Sequence, residues 1–368
     1  MFARSARLLA AAALCVTVLA GCAAPATAPT SAPVASASSS IPLADLDLLA
    51  DPRAYEGPST AVLADAAIEP IDGDFAQQLP VTVTSHDLDG DTEVTVASTE
   101  RVLGVDISGS IAATIFSLGY GDSLVGRDVS TKFPEALELP VVTSGGHSIN
   151  SESILALRPT LIITDGSVGP IDVVLQLREA GIPVVFVDTD PSTAGVGELA
   201  AQVAAALGTP SAGDALAERL LDEIDAKIAE ISAVTPAAAG DKVRMLFLYL
   251  RGNSGIYYLF GSESGADELI EGIGGVDVAG EIGWAGMKPM TDEAMIAANP
   301  DLILVMTDGL ESAGGVDELL TTKPAIGLTE AGKHRRFVDM ADGEILSFGP
   351  RTAHVLDALA RAVYAPES

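Results

Sequence analysis

Two stretches of this chain, far apart in the sequence, read alike, and that limits what it can fold into. Glu152 to Pro159 reads as a short helix and leads into Thr160 to Gly166, an apolar run closed by Thr164-Asp165-Gly166. Glu293 to Pro300 leads in the same way into Asp301 to Gly309, closed by Thr307-Asp308-Gly309. In both, a Glu stands seven residues before a Pro that ends the helix, and a buried strand follows. Such self-similarity predicts two lobes of similar fold.

The rest of the chain fits that frame. Helical patterns over Gly109–Leu118, Ser151–Leu157 (with Ser151 as its cap), Pro170–Ala180 and Glu198–Leu207 alternate with short strands at Ser123–Gly126, Thr160–Ile163 and Pro183–Val187. Short strands alternating with helices imply a parallel sheet. From Ser211 to about Ser232, Leu216, Leu220, Ile224, Ile228 and Ile231 recur three or four apart. That is one long amphipathic helix, read as a rigid connector. The fold class is therefore α/β, with two Rossmann-like lobes joined by one long connecting helix. Ahead of the lobes, Val81–Thr84 and Glu93–Val96 alternate around Asp89-Gly90-Asp91 and read as a β-hairpin, with His86 exposed near its turn.

The amino terminus predicts export. Arg4 and Arg7 precede an apolar run from Leu8 to Ala20, followed by Gly21 and Cys22. This is the pattern of a signal peptide, too short for a spanning helix. Leu19-Ala20-Gly21-Cys22 resembles the bacterial lipobox, in which the Cys is acylated, so Cys22 is the expected lipidation site. Ala23 to Ser40 is nearly all Ala, Pro, Thr and Ser, a disordered tether. The resulting division is 1–21 signal peptide, 22–40 tether, 41–92 an N-terminal extension carrying the hairpin, 93–210 the first lobe, 211–235 the connecting helix and 236–368 the second lobe. The expected location is the extracellular face of the cell membrane, held by lipid.

Composition excludes several functions. The two cysteines, Cys15 and Cys22, fall in or beside the signal segment, so the mature chain has no thiol for a disulfide, a nucleophile or a metal. The formal charge is −31, and it deepens once Arg4 and Arg7 are removed. Such a surface repels nucleic acid. No nucleophile elbow, phosphate loop or metalloprotease helix is present, so no enzyme is read here. Gly145-Gly146-His147 superficially suggests an esterase oxyanion motif, but no matching Gly-x-Ser-x-Gly accompanies it.

One strand ends in unusual chemistry. Met245 to Leu250 is apolar or aromatic throughout, and Gly252-Asn253-Ser254-Gly255 closes it shortly after. A strand of this kind is covered on both faces. Tyr249 and Arg251, two residues apart, point to the same side at its carboxyl end, where α/β sheets place their ligands. A cation beside a phenol favours the phenolate, which suits ferric iron and is an axial ligand of haem. The alternative is a strand-capping tyrosine beside a solvated arginine.

At this point the chain resembles the cluster A, or class III, substrate-binding proteins of ABC importers, from roughly Glu93 to the C-terminus. The family has two α/β lobes joined by one long helix, with the ligand in the inter-lobe cleft, and includes binders of haem, ferric siderophores and cobalamin. The resemblance implies that Glu152 and Glu293, one per lobe, dock the membrane permease. The alternative is two first-turn acids that complement a helix dipole, and both roles are compatible. Gly261 to Gly275 also resembles the second-lobe helix of the family. Within it, Leu79–Thr84, Val125–Ser130, Gly145-Gly146-His147 and Tyr249-Leu250-Arg251 are similar to haemin-binding lipoproteins of actinobacterial importers. That likeness implies haem as transported ligand, its iron held by His147 from one face and Tyr249 from the other. It also implies that Arg251 hydrogen-bonds the Tyr249 phenol and that Met306 lies at the haem. The implied partners are the permease and ATPase subunits of the importer, and the implied state is a monomer.

The other histidines read as bystanders. His334 lies in the basic run Lys333–Arg336, taken as exposed, and His354 on the last helix. A single His at the site also disfavours bare zinc or manganese, whereas a porphyrin supplies four of the ligands itself. Met306 ends an apolar strand, where core packing is the default. Met287, Met290 and Trp284 either line a porphyrin wall or lie on the lobe surface. Arg127, Lys132 and Lys288 are candidates for the propionates. The remaining alternatives are a ferric-siderophore or cobalamin-type binder of the same fold, and a surface scaffold with a vestigial cleft.

Overall fold

The computed structural model describes residues 34–37, 41–144 and 146–367. The expected signal peptide, Cys22 and Gly145 lie outside the described residues. The echoing segments fold alike. Ser151–Leu157 and Asp292–Ala298 are seven-residue helices. Each is capped by the side chain just before it: Asn150 accepts from Ser153 N, and Thr291 from Ala294 N. The cap is thus Asn150 rather than Ser151, because the Asn is the residue with extended backbone geometry. Both helices stop in a left-handed residue, Arg158 at φ 48° and Asn299 at φ 40°. Each precedes a proline that disfavours further right-handed turns.

In the first lobe, Leu161–Thr164 lies between Val102–Val105 and Val184–Phe186, all parallel. The helix expected over Gly109–Leu118 runs regularly only from Ser110 to Ile115, then kinks through Gly119 at φ 85°. The expected hairpin forms, Val81–Ser85 against Thr92–Val96. It is lashed to this lobe by Arg178, which donates to both carboxylate oxygens of Asp87 at 2.6 and 2.8 Å. His86, expected to be exposed, is half-buried, with Asp91 3.0 Å and Asp188 3.6 Å from its Nδ1.

The second sheet runs Ser59–Val62, Phe337–Met340, Leu302–Met306, Arg244–Arg251, all parallel, then antiparallel Ile256–Phe260 and the edge strand Met287–Pro289. Val34–Ala37 pairs outside Ser59–Val62, and Val276–Asp277 pairs with the start of Arg244–Arg251. The strand Ser59–Val62 was not foreseen: the extension contributes it to the sheet of the second lobe. Met245 to Leu248 and Leu250 have no exposed surface, as a doubly covered strand requires. Alternate residues enter two different cores. Met245 and Phe247 join the core that contains Leu216, Leu220 and Ile224 of the long helix, whereas Leu246, Leu248 and Leu250 pack with Val278, Met295 and Leu319.

The long helix spans Pro210–Val234, 25 residues, about 37 Å at 1.5 Å per residue. Its apolar stripe is buried at Leu216, Leu220, Ile224 and Ile231. Gly213 lets it approach Gly195–Ala206: a Cβ there would lie 2.6 Å from that of Ala204. The basic run at 333–336 is not wholly exposed. Arg336 is fully buried, because its guanidinium donates to Ser59 Oγ and to the carbonyls of Ala362 and Val363 at the end of the last helix. No helix among the described residues is long and apolar enough to cross a membrane.

Candidate functional site

Tyr249 stands at the carboxyl end of the most central long strand, and its surroundings are built by register. Parallel pairing sets Phe247 level with Leu304, so two residues further on Tyr249 is level with Met306. Antiparallel pairing sets Tyr258 directly opposite Tyr249. The Tyr249 ring stacks on Phe260 at 5.7 Å and 17°, and Phe260 stacks in turn on Phe247 at 5.1 Å. The phenol is thereby held half-buried on a row of rings, and its hydroxyl makes no hydrogen bond among the described residues. Aromatic pairs of this kind stabilise by about 0.5–1.5 kcal/mol each beyond burial.

Arg251 is on the same side of the strand as Tyr249, as the two-residue spacing requires. Its guanidinium lies over the ring, 4.6 Å from the centroid. It does not donate to the phenol oxygen, in contrast to the expectation from the sequence. The hydrogen bonds it does make go elsewhere: Nη1 on Leu250 O at 2.9 Å, and Nη2 on Asp342 Oδ2 at 2.6 Å, with Met306 Sδ at 3.8 Å. Thr307-Asp308-Gly309 opens a helix directly against this group. A Cβ on Gly309 would lie 2.7 Å from Leu250 O and 2.9 Å from Arg251 Nη1, so the glycine of the echo motif is needed for close approach. Tyr249, Arg251 and Met306 are therefore brought together.

His147 belongs to the first lobe. It sits exposed at the tip of a small hairpin, Thr143–Ser144 against Ser148–Ile149, just before the helix that carries Glu152. No hydrogen bond or ion pair involves it among the described residues. A cavity of about 220 Å³ lies between the lobes, lined by Ser108, Asp165, Thr189 and Asp190 from the first-lobe strand ends and by Leu346 and Phe348 from the second lobe, and not by His147. A larger cavity of about 650 Å³ lies beside the long helix and the last helix and involves His354, but none of the residues singled out as ligands.

Two buried carboxylates, Asp106 and Asp128, lie side by side in the first lobe, joined by the bond from Asp106 N to Asp128 Oδ2 at 3.1 Å. Asp106 accepts from the backbone N–H groups of Ser110 and Ile111 and so caps that helix, while Asp128 accepts from Ser130 and Thr131. Burial, reinforced by the neighbouring Asp128 and Asp165 carboxylates, raises Asp106 well above the usual carboxylate range, and burial raises Asp128 too. Arg127, a candidate for propionates, instead braces its own loop through the carbonyls of Asp128, Thr131 and Leu137. Lys132 is exposed, and Lys288 lies 5.5 Å from the centre of the Trp284 ring. Met287 is 63% exposed on the edge strand. Glu152 and Glu293 are both exposed at the second position of their matched helices, and no ion pair engages either among the described residues.

Sequence reasoning missed Asp342 and Phe260. Phe260 had no signal beyond its strand. Asp342 did have one: Asp342-Gly343 follows a buried strand, as Asp165-Gly166 and Asp308-Gly309 do.

A family model described as periplasmic binding protein matches residues 105–342. No curated protein sequence matches the chain significantly. Among solved structures, the heme binding protein HmuT is 37% identical with a TM-score of 0.78, and the match covers 86% of this chain and 99% of that one. HmuT has also been solved with a histidine, a tyrosine or an arginine replaced by alanine, and that tyrosine and arginine are two positions apart. The periplasmic heme-binding protein RhuT from Roseiflexus sp. RS-1 is 36% identical with a TM-score of 0.65, over 74% of this chain and 100% of its own. BhuT, solved in complex with two hemes, is 31% identical with a TM-score of 0.62, over 72% of this chain and 97% of its own. With two α/β lobes, one long connecting helix and a model match over most of its length, the chain belongs to the periplasmic binding protein family.

Proposed function

We propose that this chain captures ferric haem outside the cell membrane and delivers it to an ABC importer. Tyr249 and His147 serve as the two axial groups of the iron, and Arg251 and Met306 complete the contacts on the Tyr249 side. Haem is cargo here, not a cofactor of catalysis. The observation that carries the reading is the end of the Arg244–Arg251 strand. An unbonded phenol is backed by stacked rings, flanked by a cation and a thioether, at the sheet position where α/β folds bind ligands. Its Tyr-x-Arg spacing is that of the tyrosine and arginine replaced in HmuT variants. The residues fit the group: a phenolate is a hard anionic ligand for Fe(III), an imidazole accepts the opposite position, and apolar side chains suit a porphyrin face.

Around this site the other roles follow. Cys22 carries the lipid that holds the protein on the extracellular face. Glu152 and Glu293, matched in position on the two lobes, engage the permease, whose ATPase subunits drive transport. The protein itself acts as a monomer. Haemin added to the purified protein should give a shifted Soret band together with a phenolate-to-iron charge-transfer band. Absence of both contradicts the reading.

A further inference from the structure

Arg251 reaches Tyr249 already committed to a partner. Asp342 Oδ2 accepts from Arg251 Nη2 at 2.6 Å, and its other oxygen accepts from Asp308 N at 3.0 Å. The two side chains are 30% and 16% exposed, so the pair is partly desolvated. Asp342 follows the Phe337–Met340 strand, whereas Asp308 opens the helix that follows the neighbouring Leu302–Met306 strand. The carboxylate thus bridges the end of one strand to that of another. The guanidinium so engaged lies over the ring face, and no hydrogen bond joins it to the hydroxyl among the described residues.

A guanidinium with one nitrogen on a carboxylate and another on a carbonyl has less to offer a third acceptor. A bond to a charged group is also stronger than one to a neutral amide. We infer that Asp342 is a positioning residue of the ligand site that competes with the Tyr249 phenol oxygen for Arg251, so that a hydrogen bond from Arg251 to an iron-bound phenolate forms at the expense of its bond to Asp342. This rests on Tyr249 being the ligand to ferric haem. The competition limits how firmly cargo is held, which suits a protein that must surrender it.

The test uses the full chain and transfer of haemin to excess apomyoglobin. Asp342→Asn retains an oxygen for the guanidinium but loses the charge. It should slow haemin loss about fivefold and move the phenolate-to-iron band to shorter wavelength, because the phenolate then accepts from Arg251. Asp342→Glu should restore the parent rate and spectrum. In an Arg251→Ala background, Asp342→Asn should change neither. Haemin binding by the parent with an unchanged or faster release in Asp342→Asn, and no band shift, overturns the competition alone. Failure of the parent to bind haemin overturns the functional reading as well. Should the Asn variant not fold, Asp342→Ser removes the same charge and must give the same sign.

Discussion

The guanidinium of Arg251 lies 4.6 Å above the ring of Tyr249 rather than at its hydroxyl. The two residues share a side of their strand, so proximity is set by the backbone. Arg251 Nη2 is engaged by a residue 91 positions away, Asp342. Phe260 and Met306 complete the surroundings from two neighbouring strands.

Gly309 tests how tightly this group is packed. Alanine is ordinarily the better helix residue by about 1 kcal/mol. Here its Cβ would meet Leu250 O and Arg251 Nη1, so Gly309→Ala should destabilise the protein by roughly 1–3 kcal/mol and weaken haemin binding. Urea unfolding checks the sign, and equal or greater stability would show that the approach is not close.

The hairpin is held by an ion pair whose pH dependence has a definite sign. Hydrogen bonds from Arg178 are the largest cause that lowers Asp87 from 3.8 to about 2. A carboxylate depressed in the folded state stabilises above its ordinary value and loses that contribution as pH falls through the folded one. The parent should therefore lose roughly 2 kcal/mol between about pH 4 and pH 2 that Asp87→Asn does not lose. Parallel unfolding curves for the two proteins across that window would contradict it.

Matched exposure of Glu152 and Glu293 predicts a separation of binding from transport. Replacing both by Ala should leave haemin titration unchanged and abolish uptake in cells. Uptake at the parental rate would remove them from the docking role.

The proposed lipidation at Cys22 predicts that Cys22→Ser is shed into the medium or kept as an uncleaved precursor. Unchanged lipid labelling of the variant would exclude Cys22 as the anchor.

Much of this was legible in the sequence because it is local. Periodicity marked the long helix, whose buried positions are the apolar ones three or four apart. An unbroken apolar run marked the doubly covered strand, and its two-residue spacing placed Tyr249 with Arg251. What was not legible depends on distant pairing. Ser59–Val62 has no periodic signature, and it becomes a strand by pairing with Phe337–Met340. Arg336 reads as exposed beside Lys333 and Arg335, yet carbonyls of the last helix make burial of its charge tolerable. Asp342 is a contact made by topology, marked only by the Asp-Gly that recurs at strand ends.

The most direct measurement is the visible spectrum and affinity of haemin with the parent, Tyr249→Phe and His147→Ala. Removing the phenol oxygen while keeping the ring preserves the stack on Phe260. Any change in the spectrum then reports the ligand and not the fold. Tyr249→Phe should lose the charge-transfer band and bind haemin at least about tenfold more weakly than His147→Ala, a difference of roughly 1.4 kcal/mol. A Tyr249→Phe protein with the parental spectrum and affinity would mean that Tyr249 only closes its strand and that haem, if bound, is held elsewhere.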